Sequence, residues 1–312
     1  MNFLKAIFFL LFLAVAMFFY GQYLYEKPGI LSQDRNILIP KGGADIVSKE
    51  LMRHYVLETP LVFIMGVKFG NHKGLKAGEY FIPAHASIKR IIDIISSGVT
   101  VVHKVTISEG QTVKQIIAEL REIESLEGEI ITKYNDGDLL PETYHYSYGE
   151  SRESILKRMR KSMEDVLDQA WKERKPDLSI KNKKEAVILA SIVEKETSLA
   201  VERPRVAAVF LNRLKKGMKL QADPTVLYGK DKTTITRDDL NEETPYNTYV
   251  IEGLPIGPIC NPGKASIQAV LAALDTEELY FVADGAGGHV FAKTLSEHNK
   301  NVAKWRAIKQ QK

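Results

Sequence analysis

The longest hydrophobic pattern lies close to the start of the chain. Residues 6–25 read AIFFLLFLAVAMFFYGQYLY and contain no charged residue. At 1.5 Å per residue, a helix of about twenty residues spans the ~30 Å hydrocarbon layer of a bilayer, and the three tyrosines in its last six residues suit the membrane interface. A cleaved signal peptide is the alternative, with Ala14 and Ala16 as the small residues of a cleavage site, but the apolar run continues past Ala16. The pattern therefore predicts an uncleaved transmembrane helix.

The charges beside this helix bear on its orientation. Lys5 and the terminal amine lie on the short side, and Glu26 and Lys27 lie on the long side, so the excess of positive charge on the short side is small. The simplest topology has a short cytoplasmic tail and the anchor in residues 1–26, with the rest of the chain exported.

Short apolar strands and amphipathic helices alternate after a linker, residues 27–36, that contains Pro and Gly. The predicted strands are residues 37–40, 77–82 and 105–107. The predicted helices, whose apolar residues recur at helical spacing, are residues 44–55, 87–96 and 112–121. This repeated β-α-β pattern predicts a small α+β module over residues 37–107.

The remainder of the chain, residues 108–312, is predicted to be mainly helical. Its predicted helices are residues 151–171, 182–197, 203–216, 266–274 and a basic C-terminal helix, 296–310. A segment dense in Pro, Gly, Asn and Thr, residues 220–263, predicts a loop-rich groove. Two apolar strands joined by the sequence DGAGG predict a C-terminal hairpin over residues 279–292. The fold class is therefore α+β, with an N-terminal transmembrane helix.

Composition removes several classes of function. Hydrophobic residues make up 45% and charged residues 26% of the 312 residues, and the net charge is +4, so nothing calls for a nucleic-acid partner. The single cysteine, Cys260, excludes an intrachain disulfide and a cysteine-based zinc site. The chain has no Walker loop, no Gly-x-Ser-x-Gly elbow and no His-Glu-x-x-His pair. We therefore expect no metal and no cofactor.

Two acidic residues follow an apolar helical run and are the first candidates for chemistry. The segment EAVILASIVEKETS begins apolar on every side, and Glu194 and Glu196 continue it. A carboxyl group removed from water has a raised pKa, which suits a general acid. The alternative is that these acids pair with Lys195, Arg203 or Arg205. Two residues of separation place the acids on nearly opposite helix faces, so spacing does not choose between them.

A second cluster of polar and aromatic residues lies in the loop-rich segment. Such side chains beside a buried acid can hold a sugar by hydrogen bonds and ring contact. Turn formation is the alternative, and Asp223-Pro224 is a common start of a turn. The cluster comprises Gln221, Asp223, Tyr228, Tyr246, Asn247 and Thr248.

Several motifs occur in an order that resembles the YceG-like family, the endolytic murein transglycosylases. They are LPETY at 140–144, LASIVEKET at 189–197, VFLNRL at 209–214, MKLQADPTV at 218–226, TPYNTY at 244–249, GLPIGP at 253–258, YFVADG at 280–285, GGHVF at 287–291 and EHN at 297–299. The resemblance implies a single-pass protein of the inner membrane, with a LysM-like subdomain and then a catalytic domain in the periplasm. It also implies cleavage of the MurNAc–GlcNAc bond within nascent peptidoglycan strands to give 1,6-anhydro-MurNAc ends, which would terminate glycan elongation. Peptidoglycan synthases are the candidate protein partners.

The same resemblance assigns roles to individual residues. It makes the first glutamate of the Glu-Lys-Glu motif, Glu194, the general acid and then the base. Gln221 and the Tyr246-Asn247 pair correspond to groove residues, and we group Asp223, Thr248 and Glu196 with them as substrate-binding candidates. Two other functions stay open: a muramidase-type hydrolase that uses Glu194 and Asp223, and a non-catalytic peptidoglycan-binding scaffold.

Overall fold

The structure, a computed structural model, describes residues 2–70 and 74–310. It separates into two units: Met1–Lys104 with His145–Glu150, and Val105–Tyr144 with Ser151–Lys312. The division at Lys104 lies close to the predicted end of the small module at residue 107.

Helix α1, Asn2–Glu26, opens the first unit. Its segment Phe3–Glu26 is long and apolar enough to cross a membrane, and residues 3–20 of it are all exposed. Exposed side chains such as Phe8 and Phe12 would be unfavourable in water. This helix is therefore consistent with membrane anchoring.

The rest of the first unit is built on a two-stranded antiparallel sheet. Its elements are β1 (Arg35–Ile39), α2 (Ala44–Arg53), α3 (Pro60–Phe69), β2 (Gly78–Ile82) and α4 (Ile88–Ser97). In β1, Ile37 and Ile39 point into the core, as do Tyr80 and Ile82 in β2, because alternate residues of a strand share a face. The helices bury Leu51, Phe63, Ile91, Ile92 and Ile95 against them.

This arrangement corrects the predicted β-α-β repeat, because two helices rather than one connect β1 to β2. Helix α3 was missed in the sequence because its residues are apolar on nearly every side, which hides the helical period. The strand β1 also begins at Arg35, two residues before its predicted start and inside the predicted linker.

The remaining elements follow in chain order. They are β3 (Val102–Thr106), α5 (Val113–Glu122), β4 (Leu126–Glu127), β5 (Thr143–Ser147), β6 (Glu150–Ser151), α6 (Arg152–Lys172), α7 (Lys183–Glu196), α8 (Arg203–Lys215), α9 (Asp223–Leu227), α10 (Arg237–Asn241), α11 (Lys264–Leu271), β7 (Tyr280–Ala283), β8 (His289–Ala292) and α12 (Leu295–Gln310). The predicted loop-rich segment thus includes two short helices, α9 and α10. Each has five residues, too few to show a period in the sequence.

Helix α7 is the centre of the second unit and positions the candidate acids. The side chain of Asn182 accepts a hydrogen bond from the Glu185 N–H (2.9 Å) and caps the start of the helix. Residues 186–193 are all buried, and α7 packs against α8 and α11. The helix ends at Glu196, so both candidate acids lie in its last turn.

The predicted C-terminal hairpin is confirmed. Strands β7 and β8 pair antiparallel, with Tyr280 opposite Ala292 and Ala283 opposite His289. Asp284 Oδ1 accepts hydrogen bonds from the N–H groups of Ala286 (2.7 Å) and Gly288 (3.0 Å), which closes the turn.

Candidate active site

Glu194 belongs to an ion-pair cluster with Arg203 and Glu109. Its side chain is only 5% exposed, and Arg203 Nη2 donates to its Oε1 at 3.2 Å. The Gly263 N–H, immediately before α11, donates to its Oε2 at 2.9 Å. A cation and a helix N-terminus both favour a negative charge. The same Arg203 nitrogen also donates to Glu109 Oε2 at 3.1 Å. Both Glu194 oxygens are therefore occupied as hydrogen-bond acceptors.

Glu196 has different surroundings. Among the described residues, its carboxyl group has no hydrogen-bond or ion-pair partner. Burial first, and then the nearby negative charge of Asp223, raise the pKa of Glu196 to about 8 against the opposing positive charge of Arg213. This raised pKa favours the protonated form of the Glu196 carboxyl group near neutral pH. Of the two acids between which the sequence spacing does not choose, Glu196 is the one whose pKa is raised by burial.

Asp223 and Tyr249 form a hydrogen-bonded pair next to Glu196. Asp223 is the first residue of α9 and is exposed, and the Tyr249 hydroxyl donates to its Oδ1 at 2.6 Å. Burial, and then the bond to Asp223, raises the pKa of Tyr249 well above its usual value. Tyr249 thus remains a hydrogen-bond donor, and it fixes the position of the Asp223 carboxylate.

Arg213 contributes a buried positive charge to the same region. Its side chain donates to the backbone carbonyls of Leu279 (2.6 Å, from Nε) and Leu220 (2.7 Å, from Nη1). Burial lowers the pKa of Arg213. Because these nitrogens bind backbone oxygens, Arg213 acts on Glu196 through its charge. It also links the residue just before β7 to the residue just before Gln221.

Gln221 is presented to solvent by an uncommon backbone conformation. Its φ is 48°, in the left-handed region that non-glycine residues seldom adopt. Its N–H donates to the Thr248 carbonyl at 3.1 Å, and its side chain is exposed. Such strain is often retained at functional sites. Gln221 precedes Asp223 by two residues, so the same loop carries the Asp223 carboxylate and the exposed Gln221 side-chain amide.

Asn247 and Thr248 are buried and hydrogen-bonded inside the protein. Asn247 is 1% exposed, and its Nδ2 donates to the Asp239 (3.0 Å) and Glu242 (2.8 Å) carbonyls. Its Oδ1 accepts from the Tyr249 N–H at 3.0 Å. Thr248 is fully buried. The polar atoms of both side chains already have partners inside the protein, and a direct role for them in substrate binding stays a prediction.

Tyr246 lines a cavity of about 1020 Å³. Its ring centre is 4.5 Å from that of Tyr228, whose hydroxyl donates to Asp136 Oδ2 at 2.6 Å. Val187 also lines the cavity. Nine residues of α7 separate Val187 from Glu196, roughly 13 Å along the helix.

Sequence reasoning missed two residues of the Glu196 site. Tyr249 closes the TPYNTY motif and Arg213 lies in the VFLNRL motif, yet neither was selected as a candidate. The position of Tyr249 and Arg213 inside these motifs was the signal in the sequence that could have identified them as site residues. In residues 2–70 and 74–310, no group of three or more His, Cys, Asp or Glu side chains is arranged to hold a metal ion.

Comparison with known proteins decides the family. A sequence model of the YceG-like family matches residues 37–304. The chain belongs to the YceG-like family. A crystal structure of a YceG-like protein from Listeria monocytogenes superimposes with a TM-score of 0.53 at 31% identity, covering 86% of this YceG-like chain and 99% of the other.

Curated relatives carry a functional name. This YceG-like chain is 33% identical over 331 residues to an endolytic murein transglycosylase of Bacillus subtilis (strain 168), covering 95% of the chain and 91% of the relative. It is 28% identical over 354 residues to an endolytic murein transglycosylase of Streptococcus pneumoniae serotype 2 (strain D39 / NCTC 7466), of which it spans 64%. The predicted family and enzyme class, a lytic transglycosylase and so a lyase, are confirmed by these relatives, as is the mixed α+β fold.

Proposed function

We propose that this chain is an endolytic peptidoglycan lytic transglycosylase in which Glu196, rather than Glu194, is the general acid and base. The observation that carries this choice is the contrast between the two carboxyl groups. Both oxygens of Glu194 accept hydrogen bonds, from Arg203 and from the Gly263 N–H. Glu196 has no hydrogen-bond partner among the described residues and has a pKa of about 8. A general acid must hold a proton at the working pH and must be free to give it to the substrate.

The proposed reaction begins with proton transfer from Glu196 to the glycosidic oxygen between MurNAc and GlcNAc. The bond from that oxygen to C1 of MurNAc then breaks, and C1 gains oxocarbenium character. The Glu196 carboxylate next takes the proton from the C6 hydroxyl of the same MurNAc, and O6 bonds to C1 to close the 1,6-anhydro ring. The proton returns to Glu196, and no water is consumed.

The neighbouring residues have supporting roles in this proposal. The negative charge of Asp223 favours the protonated form of Glu196 and the positive charge that develops at C1. Tyr249 holds Asp223, and Asn247 holds Tyr249, so Asn247 is a positioning residue. Gln221 is free to bond an acetamido group of the glycan, and Tyr246 contributes a ring face to sugars bound in the cavity.

Asp223 also motivates a second candidate function, a muramidase-type hydrolase. A carboxylate beside a protonated acid is the pair that a glycosidase uses to activate water or to attack C1. Mass spectrometry of the glycan products made from purified sacculi by the full-length protein separates the two. Anhydro ends support the transglycosylase, and reducing ends contradict it. If no cleavage is detected, both enzymatic functions are contradicted, and the protein would be a non-catalytic peptidoglycan-binding scaffold.

Because the acid step requires the protonated form of Glu196, we predict that cleavage declines as pH rises through about 8. The folded pKa lies above the ordinary value of 4.5, so the stability that the bound proton contributes is complete below about 4.5 and is lost as pH rises through about 8. The measurement is cleavage rate against pH for the wild type and Asp223→Asn. Removing the Asp223 charge should move the decline to lower pH, and an unmoved decline would contradict the proposed coupling.

We also propose that residues 1–26 anchor the chain as a single-pass protein of the inner membrane. Residues 37–107 would form a LysM-like subdomain, and residues 108–312 would form the catalytic domain in the periplasm, acting with peptidoglycan synthases. The exposed apolar surface of α1 and the separate core of the small module support this layout.

The anchor makes a direct prediction about the mature protein. Residues 6–25 should be retained, because the apolar run continues without a break past Ala16. Intact-mass measurement or N-terminal sequencing of protein extracted from membranes tests this prediction. A mature chain that begins near Met17 would refute the anchor and indicate a cleaved signal peptide.

A further inference from the structure

Helix α3 presents an apolar stripe that the protein does not cover. Its sequence is PLVFIMGVKF, with Lys68 as the only charged residue. Leu61, Met65 and Phe69 are 63%, 48% and 74% exposed. They are spaced four residues apart and so lie along one face of the helix. Phe63, on another side, is fully buried in the core of the small module. The exposed stripe is therefore additional to the face that the fold requires.

The position of α3 beside α1 indicates what covers this stripe. Helix α3 contacts both α1 and α4. A Cβ atom at Gly66 would lie only 2.6 Å from Tyr25 Cε2, so the absence of a side chain at Gly66 lets the Tyr25 ring pack directly on α3. Tyr25 ends the apolar run of α1, and tyrosines at that position mark the membrane–water interface. Helix α3 is thus held at the level where the bilayer surface would lie.

We propose that α3 is an interfacial membrane helix that rests in the same bilayer surface from which α1 emerges, with Leu61, Met65 and Phe69 in contact with lipid. This proposal rests on the proposed anchoring by α1. An amphipathic or apolar helix lying at the interface gains from burying its apolar side chains while its polar groups stay at headgroup level. The Lys68 ammonium, 5.8 Å from the centre of the Phe69 ring, is placed to reach lipid phosphates while its stem stays with the apolar stripe.

The occupant that fits this surface is lipid. The stripe lies beside an anchor whose exposed residues 6–20 carry no charge. A bilayer around α1 would therefore place hydrocarbon beside α3 without any further association step. The contact would fix the small module against the membrane at two points, α1 and α3, and so restrict its rotation about the anchor.

The experiment uses the full-length chain reconstituted in vesicles of phosphatidylethanolamine and phosphatidylglycerol, with an environment-sensitive NBD label on one introduced cysteine. The native Cys260 is fully buried, so it does not compete for the label. The test position is Met65→Cys. The matched controls are Leu13→Cys, exposed on α1, and Lys49→Cys, exposed on α2. Each is measured for quenching by aqueous iodide and by lipids that carry a nitroxide in the acyl chain.

We expect the Met65 label to behave like the Leu13 label. Both should emit at shorter wavelength, be quenched by nitroxide lipids and lose quenching by iodide, whereas the Lys49 label should show the reverse. Leu61→Cys and Phe69→Cys should repeat the Met65 result, because all three positions share one face.

Each contrary outcome is distinguishable. If the Leu13 label is in lipid and the Met65 label is open to iodide, the interfacial helix is overturned and the anchor stands. If the Leu13 label is itself in water, the anchor fails and the inference fails with it. If the Met65 label is shielded from iodide but not quenched by nitroxide lipids, protein covers the stripe and the lipid proposal is overturned.

Discussion

Replacing Glu196 with Gln is expected to abolish glycan cleavage while leaving the fold intact. The amide has nearly the shape of the protonated carboxyl group that predominates at neutral pH, but it cannot donate the proton. General acid–base catalysis by one group is typically worth roughly 10²–10⁴-fold, and here one group serves both steps. Release of anhydro-ended fragments from purified sacculi measures the loss, and thermal unfolding checks the fold.

The matched control for this variant is Glu122→Gln, which makes the same chemical change at an exposed position on α5. It should leave both cleavage and stability unchanged. Cleavage by Glu196→Gln at the rate of that control would remove Glu196 from the mechanism.

Replacing Glu194 with Gln is expected to have its main effect on stability. The change removes the anion that Arg203 and the Gly263 N–H share, and it leaves the Arg203 charge with Glu109, whose side chain is 41% exposed. Breaking a buried ion pair by removing one partner costs about 3–5 kcal/mol, and we expect the lower end because Glu109 remains. Denaturant unfolding of the variant and the wild type measures the difference.

The Glu194 variant should retain cleavage per folded molecule. Activity is therefore to be compared at a temperature where both proteins are folded, as shown by circular dichroism. Loss of cleavage with unchanged stability in Glu194→Gln, together with activity in Glu196→Gln, would restore the role that the sequence resemblance gave to Glu194.

These paired variants distinguish Glu194 from Glu196, a choice that the sequence spacing alone does not allow. The spacing of Glu194 and Glu196 indicates that they face different sides of α7 but not what each side contains. Their surroundings come from residues far along the chain, namely Gly263 on one side and Asp223 on the other. Only the packing of α7 against α8, α9 and α11 brings those groups together.

Elements with a strong local signal were predicted well. The buried run in α7 and the DGAGG turn of the hairpin give period and turn chemistry directly, and both were found as predicted. Helix α3 lacks a polar face and was missed for that reason. The hydrogen bonds of Asn247 to backbone carbonyls could not be foreseen, because an amide that binds a sugar and an amide that binds backbone look the same in a sequence.

The buried hydroxyl groups of Thr225 and Thr248 have a consequence for how substitutions at the two positions combine. Thr225 donates to the Ala222 carbonyl at 2.7 Å, so the Thr248 hydroxyl supplies the hydrogen of the 2.8 Å contact between the two side chains. Thr248 Oγ1 in turn accepts from the Ala222 N–H at 2.9 Å. Residues that share a network have non-additive effects when substituted. A change at one threonine removes the shared contact but leaves the other threonine its bond to Ala222, so the two changes together should cost less than the sum of their separate costs.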